Sequence, residues 1–286
     1  MAVTNRVHYY HADASGLGGY FESPVTQIIA PQAPMSLSPA GGYGSARSEN
    51  FRIEGLLSYR SASTQVSGHL SKKEGKGWMT LVTSVVEGLN VLDVITADRL
   101  SVQISTEHPL EGDYPKVTFL GTSFENFKVA GSPVDVSVDL NICDQGNGDG
   151  YPSQSCVSSE RFLARVAEQY ARMNDAKNLP KWVEDRTVPD WIKERYRWDK
   201  KQAGKSGSVL SSVVKETKGE FPGRPFGNVL EVPEFGRVFL GELLVDCSSY
   251  QVTMLRLEMG CLGQGQLAGA VAQSNGGTIP PGGTGK

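Results

Sequence analysis

The chain has 286 residues, 39% of them hydrophobic and 21% charged, which permits a globular core and excludes wholesale disorder. A formal charge of −3 and an isoelectric point near 5.9 leave no basic footprint for nucleic acid or for an anionic membrane surface. No window approaches the ~18 consecutive apolar residues of a transmembrane helix, and the opening MAVTNRVHYYHADASG lacks the apolar core of a signal peptide. The expectation is therefore a cytoplasmic protein without a membrane partner. A secreted chain trimmed of its signal would read the same way.

Taken in order, residues 1–50 are short polar-aromatic pieces broken by Gly and Pro. VHYYH at 7–11 reads as an opening strand, GLGGY at 16–20 as a turn, and VTQIIA at 25–30 as a strand ended by Pro31. Residues 51–106 are the most strand-like, with Leu81, Thr83 and Val85 alternating against Val82, Ser84 and Val86. Gly88-Leu89-Asn90 predicts a break or a bulge in that run. KVTFLGTSFENFKV predicts two short strands around Gly121. In VDVSVDLNIC, Val134, Val136, Val138, Leu140 and Ile142 share one face, which predicts a half-buried antiparallel strand.

At Asp144 the texture changes. DQGNGDGYPSQS is loop, and 158–177 is an amphipathic helix with Leu163, Val166, Ala167 and Tyr170 at helical spacing. Ser158 or Ser159 can cap that helix, and Pro180 stops it. A second helix is predicted from near Pro189 through DWIKERYRWDKK, ended by Gly204. Strands resume near Asn228. Val238–Val245 and Val252–Met259 flank a turn at Ser248-Ser249, a hairpin that needs a larger sheet to join. The Gly/Pro-rich end, from 273 to 286, is expected to be disordered.

The chemistry-bearing residues are few. Asp144, Asn147 and Asp149 supply short oxygen side chains in a glycine-rich loop, as a calcium loop does. Their spacing departs from an EF-hand, and Gly and Asp also make plain turns. His8, His11 and Asp13 have poor geometry for one metal, because positions three apart on a strand face opposite sides. His69 and His108 carry no ligand motif. Trp182, Trp191 and Trp198 lie among Arg195, Arg197 and other basic residues, with ten Lys/Arg against six Asp/Glu between 172 and 205. Such a mixture can stack on bases or sugars or form a protein interface, or it can simply be a cap whose tryptophans pack on the sheet. Motifs for a serine hydrolase, a zinc protease or a nucleotide loop are missing. The four cysteines, Cys143, Cys156, Cys247 and Cys261, have no zinc spacing; two local disulfides, 143–156 and 247–261, compete with reduced core cysteines.

SVVEGLNVLDVITADRLSVQIS at 84–105, with VDVSVDLNIC after it, resembles uncharacterised bacterial all-β proteins, as does FGRVFLGELLVDCSSYQVTMLRLEMGC at 235–261. The first stretch is also distantly similar to the β-repeats of bacterial surface proteins of the choice-of-anchor group. The resemblance covers the strand regions and not the helical block, and it implies no catalytic residues. This chain departs from the surface proteins in showing no sorting or anchoring segment.

The reading is thus a mainly β protein, an antiparallel β-sandwich-like domain with a helical insertion. The β-domain spans 1–143 plus 226–272, and 144–225 forms the insertion or cap. The expected function is a non-enzymatic structural or interaction protein that contacts protein, including copies of itself, with no cofactor unless the calcium loop is real. The alternative is a carbohydrate-binding or carbohydrate-hydrolysing β-sandwich.

Overall fold

The computed structural model describes residues 6–199, 207–260 and 263–279. In chain order the strands are β1 (Val7–Ser23), β2 (Gln27–Ile29), β3 (Met35–Ser36), β4 (Gly42–Ile53), β5 (Leu57–Leu70), β6 (Trp78–Val91) and β7 (Ile95–His108). Shorter pieces follow: β8 (Lys116–Phe119), β9 (Ser123–Glu125), β10 (Lys128–Val129), β11 (Ser132–Pro133) and β12 (Asp135–Val138). After the helices α1 (Glu160–Asn174) and α2 (Asp190–Arg195) come β13 (Ser208–Ser212), β14 (Val214–Lys218), β15 (Arg224–Phe226), β16 (Val229–Val232), β17 (Gly236–Asp246), β18 (Ser249–Gly260) and β19 (Gln264–Ile279).

Two antiparallel sheets pack together as a sandwich. The first has the order β15-β16-β17-β18-β19-β1-β2, with β13 also on β17 and β3 on β1. The second has the order β11-β10-β7-β6-β5-β4, with β8 and β9 also on β7. β1 and β19 lie against β5, β6 and β7. Strict alternation buries Val82, Ser84 and Val86 on β6 and turns Leu81, Thr83 and Val85 outward. At Gly88, with φ +64°, the alternation slips by one residue, so the expected irregularity is a bulge inside a continuous strand. β12 and β14 form a separate two-stranded ladder.

The expected hairpin is β17–β18, paired from Gly236↔Met259 to Val245↔Tyr250. β17 is buried along both faces because the helical block covers it. α1 buries Val166 and Tyr170 as expected, together with Phe162 and Met173, while Leu163 and Ala167 are only partly buried. Ser159 occupies its N-cap, but the Ser159 side chain makes no capping bond.

Five expectations change. GLGGY is not a turn but the middle of β1, and glycine has a steric reason there: a Cβ on Gly16 would lie 2.5 Å from Ala62 Cβ on the opposite sheet. Residues 42–50 are strand, within β4. VDVSVDLNIC is strand only over β12, because Asp139 Oδ1 accepts from Asn141 N and starts a turn. The second helix is only Asp190–Arg195, with Gly204 outside the described residues. The strand β19 runs on through Ile279, held between β1 and β18, so 273–279 are ordered β-structure. Within 144–225, β13 is hydrogen-bonded to β17 and β14 to β12.

Candidate functional site

The three tryptophans do not share a surface. Trp182 packs edge-on against Phe221, Trp191 edge-on against Phe239, and Trp198 edge-on against Tyr170. All three are half-buried against the core. Arg197 is exposed, whereas Arg195 reaches Glu242 at 3.2 Å and stacks over Phe239. Arg237 lies 4.0 Å over the Trp191 ring. The aromatic-basic cluster of the sequence is therefore largely an anchor that fixes α2 to β17 and β18. Glu242 is its centre: 8% exposed, it accepts from Arg256 Nε at 2.5 Å and Nη2 at 2.8 Å as well as from Arg195. Trp182 faces a cleft of about 590 Å³, shared with Gln169, Arg172, Asn178, Lys215 and Lys218.

In the loop at 144–150 the oxygens face cations of the chain itself. Arg165 Nη1 donates to the carbonyls of Asn141, Ile142 and Asp144. Lys116 Nζ donates to Gly148 O at 2.7 Å, and Asp144 Oδ2 lies 3.6 Å from Arg161. Asn147 closes the turn with its carbonyl, and Asp149 lies beside it in the same shallow cleft. Among the described residues no group of three or more His, Cys, Asp and Glu is placed to hold a metal ion.

Cys143 and Cys156 are free, buried and in side-chain contact, and burial, followed by the neighbouring thiol, pushes the Cys143 thiol well above its ordinary range. Cys247 is free and exposed, and Cys261 lies outside the described residues. Iodoacetamide is expected to alkylate Cys247 in the folded protein, and Cys143 and Cys156 only after unfolding. Peptide mass mapping showing all three modified at equal rates would contradict this burial.

The sheet edges are unequal. β15, β2 and β3 on the first sheet, and β8, β9 and β11 on the second, are four residues or shorter. β13 is covered by α1: Tyr170 Oη donates to Leu210 O, and Gln169 bonds both Ser212 O and Ser212 N. β4 is different. It is 12 residues long and, among the described residues, pairs with β5 alone. Its inward side is small, Gly44, Ala46 and Ser48, and its outward side carries Tyr43, 69% exposed, and the ion pair Arg47–Glu49 at 2.6 Å. Asn50, with φ +54°, bends the strand after Glu49.

A second feature lies inside the sandwich, at the end where β1 and β6 begin and β7 and β19 finish. There the inward positions turn polar: His8, Thr80, Thr106, His108 and Ser274 are all buried. Thr106 and Ser274 bond each other across the sheets at 2.8 Å. Trp78 stacks on His8 with centroids 5.2 Å apart, and the His8 and His108 rings are 4.7 Å apart. Burial lowers His8 to about 4, and burial with the nearby His8 lowers His108 to about 3. Sequence reasoning missed both features. An edge is a property of strand order, and the two histidines are 100 positions apart in the chain with no motif joining them.

The sequence matches a family model described as Domain of unknown function (DUF8256) over residues 8–246. The chain belongs to this family. The match runs from β1 to the end of β17, so the helical block lies within the family's span. No curated protein and no solved structure matches the chain.

Proposed function

We propose that this is a non-enzymatic interaction protein whose β-sandwich assembles with a second copy through the edge of β4. The observation that carries the reading is that, among the described residues, the β4 edge is long and pairs on one side only. An exposed row of unpaired N–H and C=O groups is a template for another strand. A twofold axis through Ser48 sets β4 antiparallel to the second copy's β4 and places Arg47 opposite the second copy's Glu49, and Glu49 opposite its Arg47. Such a closed, self-matching pairing is the usual form of a homodimer. The charges that ordinarily protect an edge here complement one another in this register.

The test is solution mass by light scattering across protein concentration. Wild type is expected to dimerise as concentration rises. Arg47→Glu and Glu49→Arg should each give a monomer by setting like charges opposite each other, and the double exchange should restore the dimer. A wild-type monomer at every concentration, or an Arg47→Glu variant that associates as wild type does, overturns the proposal.

The cleft beside Trp182 favours a second reading, carbohydrate binding, because it sets one aromatic face beside the polar side chains of Arg172, Lys215 and Thr217. Oligosaccharide binding that raises the melting temperature of wild type but not of Trp182→Ala would support it. Equal shifts in both would place the sugar elsewhere.

A further inference from the structure

Cys143 and Cys156 stand where the helical block leaves the sandwich. Cys143 follows the turn that ends β12, and Cys156 opens the one-turn 3-10 helix Cys156–Ser158 that leads into α1. The mostly exposed loop between them returns on itself. Gln145 Nε2 donates to Gln154 O at 3.3 Å, so residues just inside each cysteine already meet. The two thiols touch each other. Cys156 is enclosed, whereas Cys143 lines the shallow cleft beside Lys116 and Tyr250. A buried thiol ordinarily packs as a small hydrophobe. Two that face each other at the neck of a closed loop also meet the first requirement of a disulfide, side chains that point together and not apart.

We propose that Cys143 and Cys156 are a redox pair that closes to a disulfide when the chain folds against oxidised glutathione and stays open in a reducing poise. The Cys143 thiolate attacks one sulfur of oxidised glutathione, forms a mixed disulfide and releases one glutathione thiolate. The Cys156 thiolate then attacks Cys143 Sγ and releases the second. Two protein thiols are oxidised, one glutathione disulfide is reduced to two glutathione thiols, and the two protons pass to those leaving groups. Both protein thiols are buried in the folded chain, so the first attack belongs to the chain with its loop still open. The bond fixes the neck of the loop and ties the start of α1 to the end of the first run of strands. It stabilises by restricting the unfolded chain. The poise of the compartment decides which form the cell holds.

The experiment refolds the reduced full chain from urea in mixtures of reduced and oxidised glutathione, alkylates it under urea with iodoacetamide and maps it after trypsin. The tryptic peptide 129–161 carries both Cys143 and Cys156, while Cys247 and Cys261 fall in two other peptides. In the oxidising mixtures that peptide is expected unalkylated and lighter by two hydrogen atoms. In the reducing mixtures it should be alkylated at both cysteines. The oxidised protein should melt about 5 °C above the reduced one. Cys143→Ser and Cys156→Ser should each abolish that difference, and Cys247→Ser should leave it unchanged. A wild-type peptide 129–161 that keeps both thiols at the most oxidising poise overturns the proposal, with no variant needed. So does one that carries glutathione or another cysteine peptide in place of the internal bond. A disulfide that forms yet lowers the melting temperature overturns it as well, because such a bond pulls the loop out of its folded path.

Discussion

Arg256→Met is expected to destabilise the protein by about 3 kcal/mol, a large part of the ~5–15 kcal/mol that holds a domain together. Arg256 supplies two of the three hydrogen bonds that Glu242 accepts, at 2.5 and 2.8 Å, and its guanidinium also covers Phe239 at 3.6 Å. Glu242 is 8% exposed, so removing Arg256 leaves a carboxylate inside the molecule with only the longer contact from Arg195. The cost lies in the stranded charge and not in the lost attraction. The double variant Arg256→Met/Glu242→Met should therefore recover most of the loss, because it removes the charge that was stranded. Arg52→Met is the control: its pair with Glu54 is exposed on both sides and should be worth less than ~0.5 kcal/mol. Urea unfolding at constant slope measures all three. Equal losses for Arg256→Met and Arg52→Met would show that Glu242 is not buried as described.

The same network explains how a short helix holds its place. α2 has six residues, too few to be stable alone. It is held from outside: Ile192 is fully buried, Trp191 lies under Arg237, and Arg195 reaches Glu242 across to β17. The basic and aromatic residues that stand out in the sequence are thus occupied in joining the helical block to its own sheet. That is why β4, and not the tryptophan segment, carries the proposed contact between copies.

Legibility in the sequence followed the size of the inward side chains. β6, β17 and β18 bury Val, Leu, Phe and Met at period two, and the pattern announces them. β1 and β19 bury Ala, Ser and Gly where the two sheets approach closely, as at Gly16 and Ala62, so neither shows an apolar period; β1 looked shorter than it is and β19 did not show as a strand. β4 lies at an edge with Gly44, Ala46 and Ser48 inward, which hides it for the same reason. VDVSVDLNIC erred the other way: alternation persisted past Val138, where β12 ends and Asp139 starts a turn. Of the candidate sites, the tryptophan cluster was visible as residues, but its three separate packing partners were not. The β4 edge and the His8–His108 pair exist only once strand order and register are known.

Acid should expose the polar layer sharply. The folded protein holds His8 near 4 and His108 near 3, against about 6.5 in an unfolded chain. Above pH 6.5 the histidines are neutral in both states and contribute no pH dependence. As pH falls below 6.5 the unfolded chain takes up two protons that the folded one refuses, so stability falls with pH down to the folded values. At up to ~1.4 kcal/mol per pH unit for each imidazole, the pair accounts for a loss of about 3 kcal/mol between pH 6.5 and 5. Glu87 and Asp185, whose carboxyls are held below their ordinary values, weaken the fold only once pH drops into the carboxylate range. The window from about pH 6.5 to 5 therefore isolates the histidines. Chemical unfolding across that window should give a stability that declines for wild type and stays nearly level for His8→Phe/His108→Phe. Parallel declines would mean that other groups carry the acid sensitivity and that the two imidazoles are hydrated in the folded state. A level wild-type profile would mean the same of the burial itself, since neutral histidines enclosed between two sheets cannot escape this linkage.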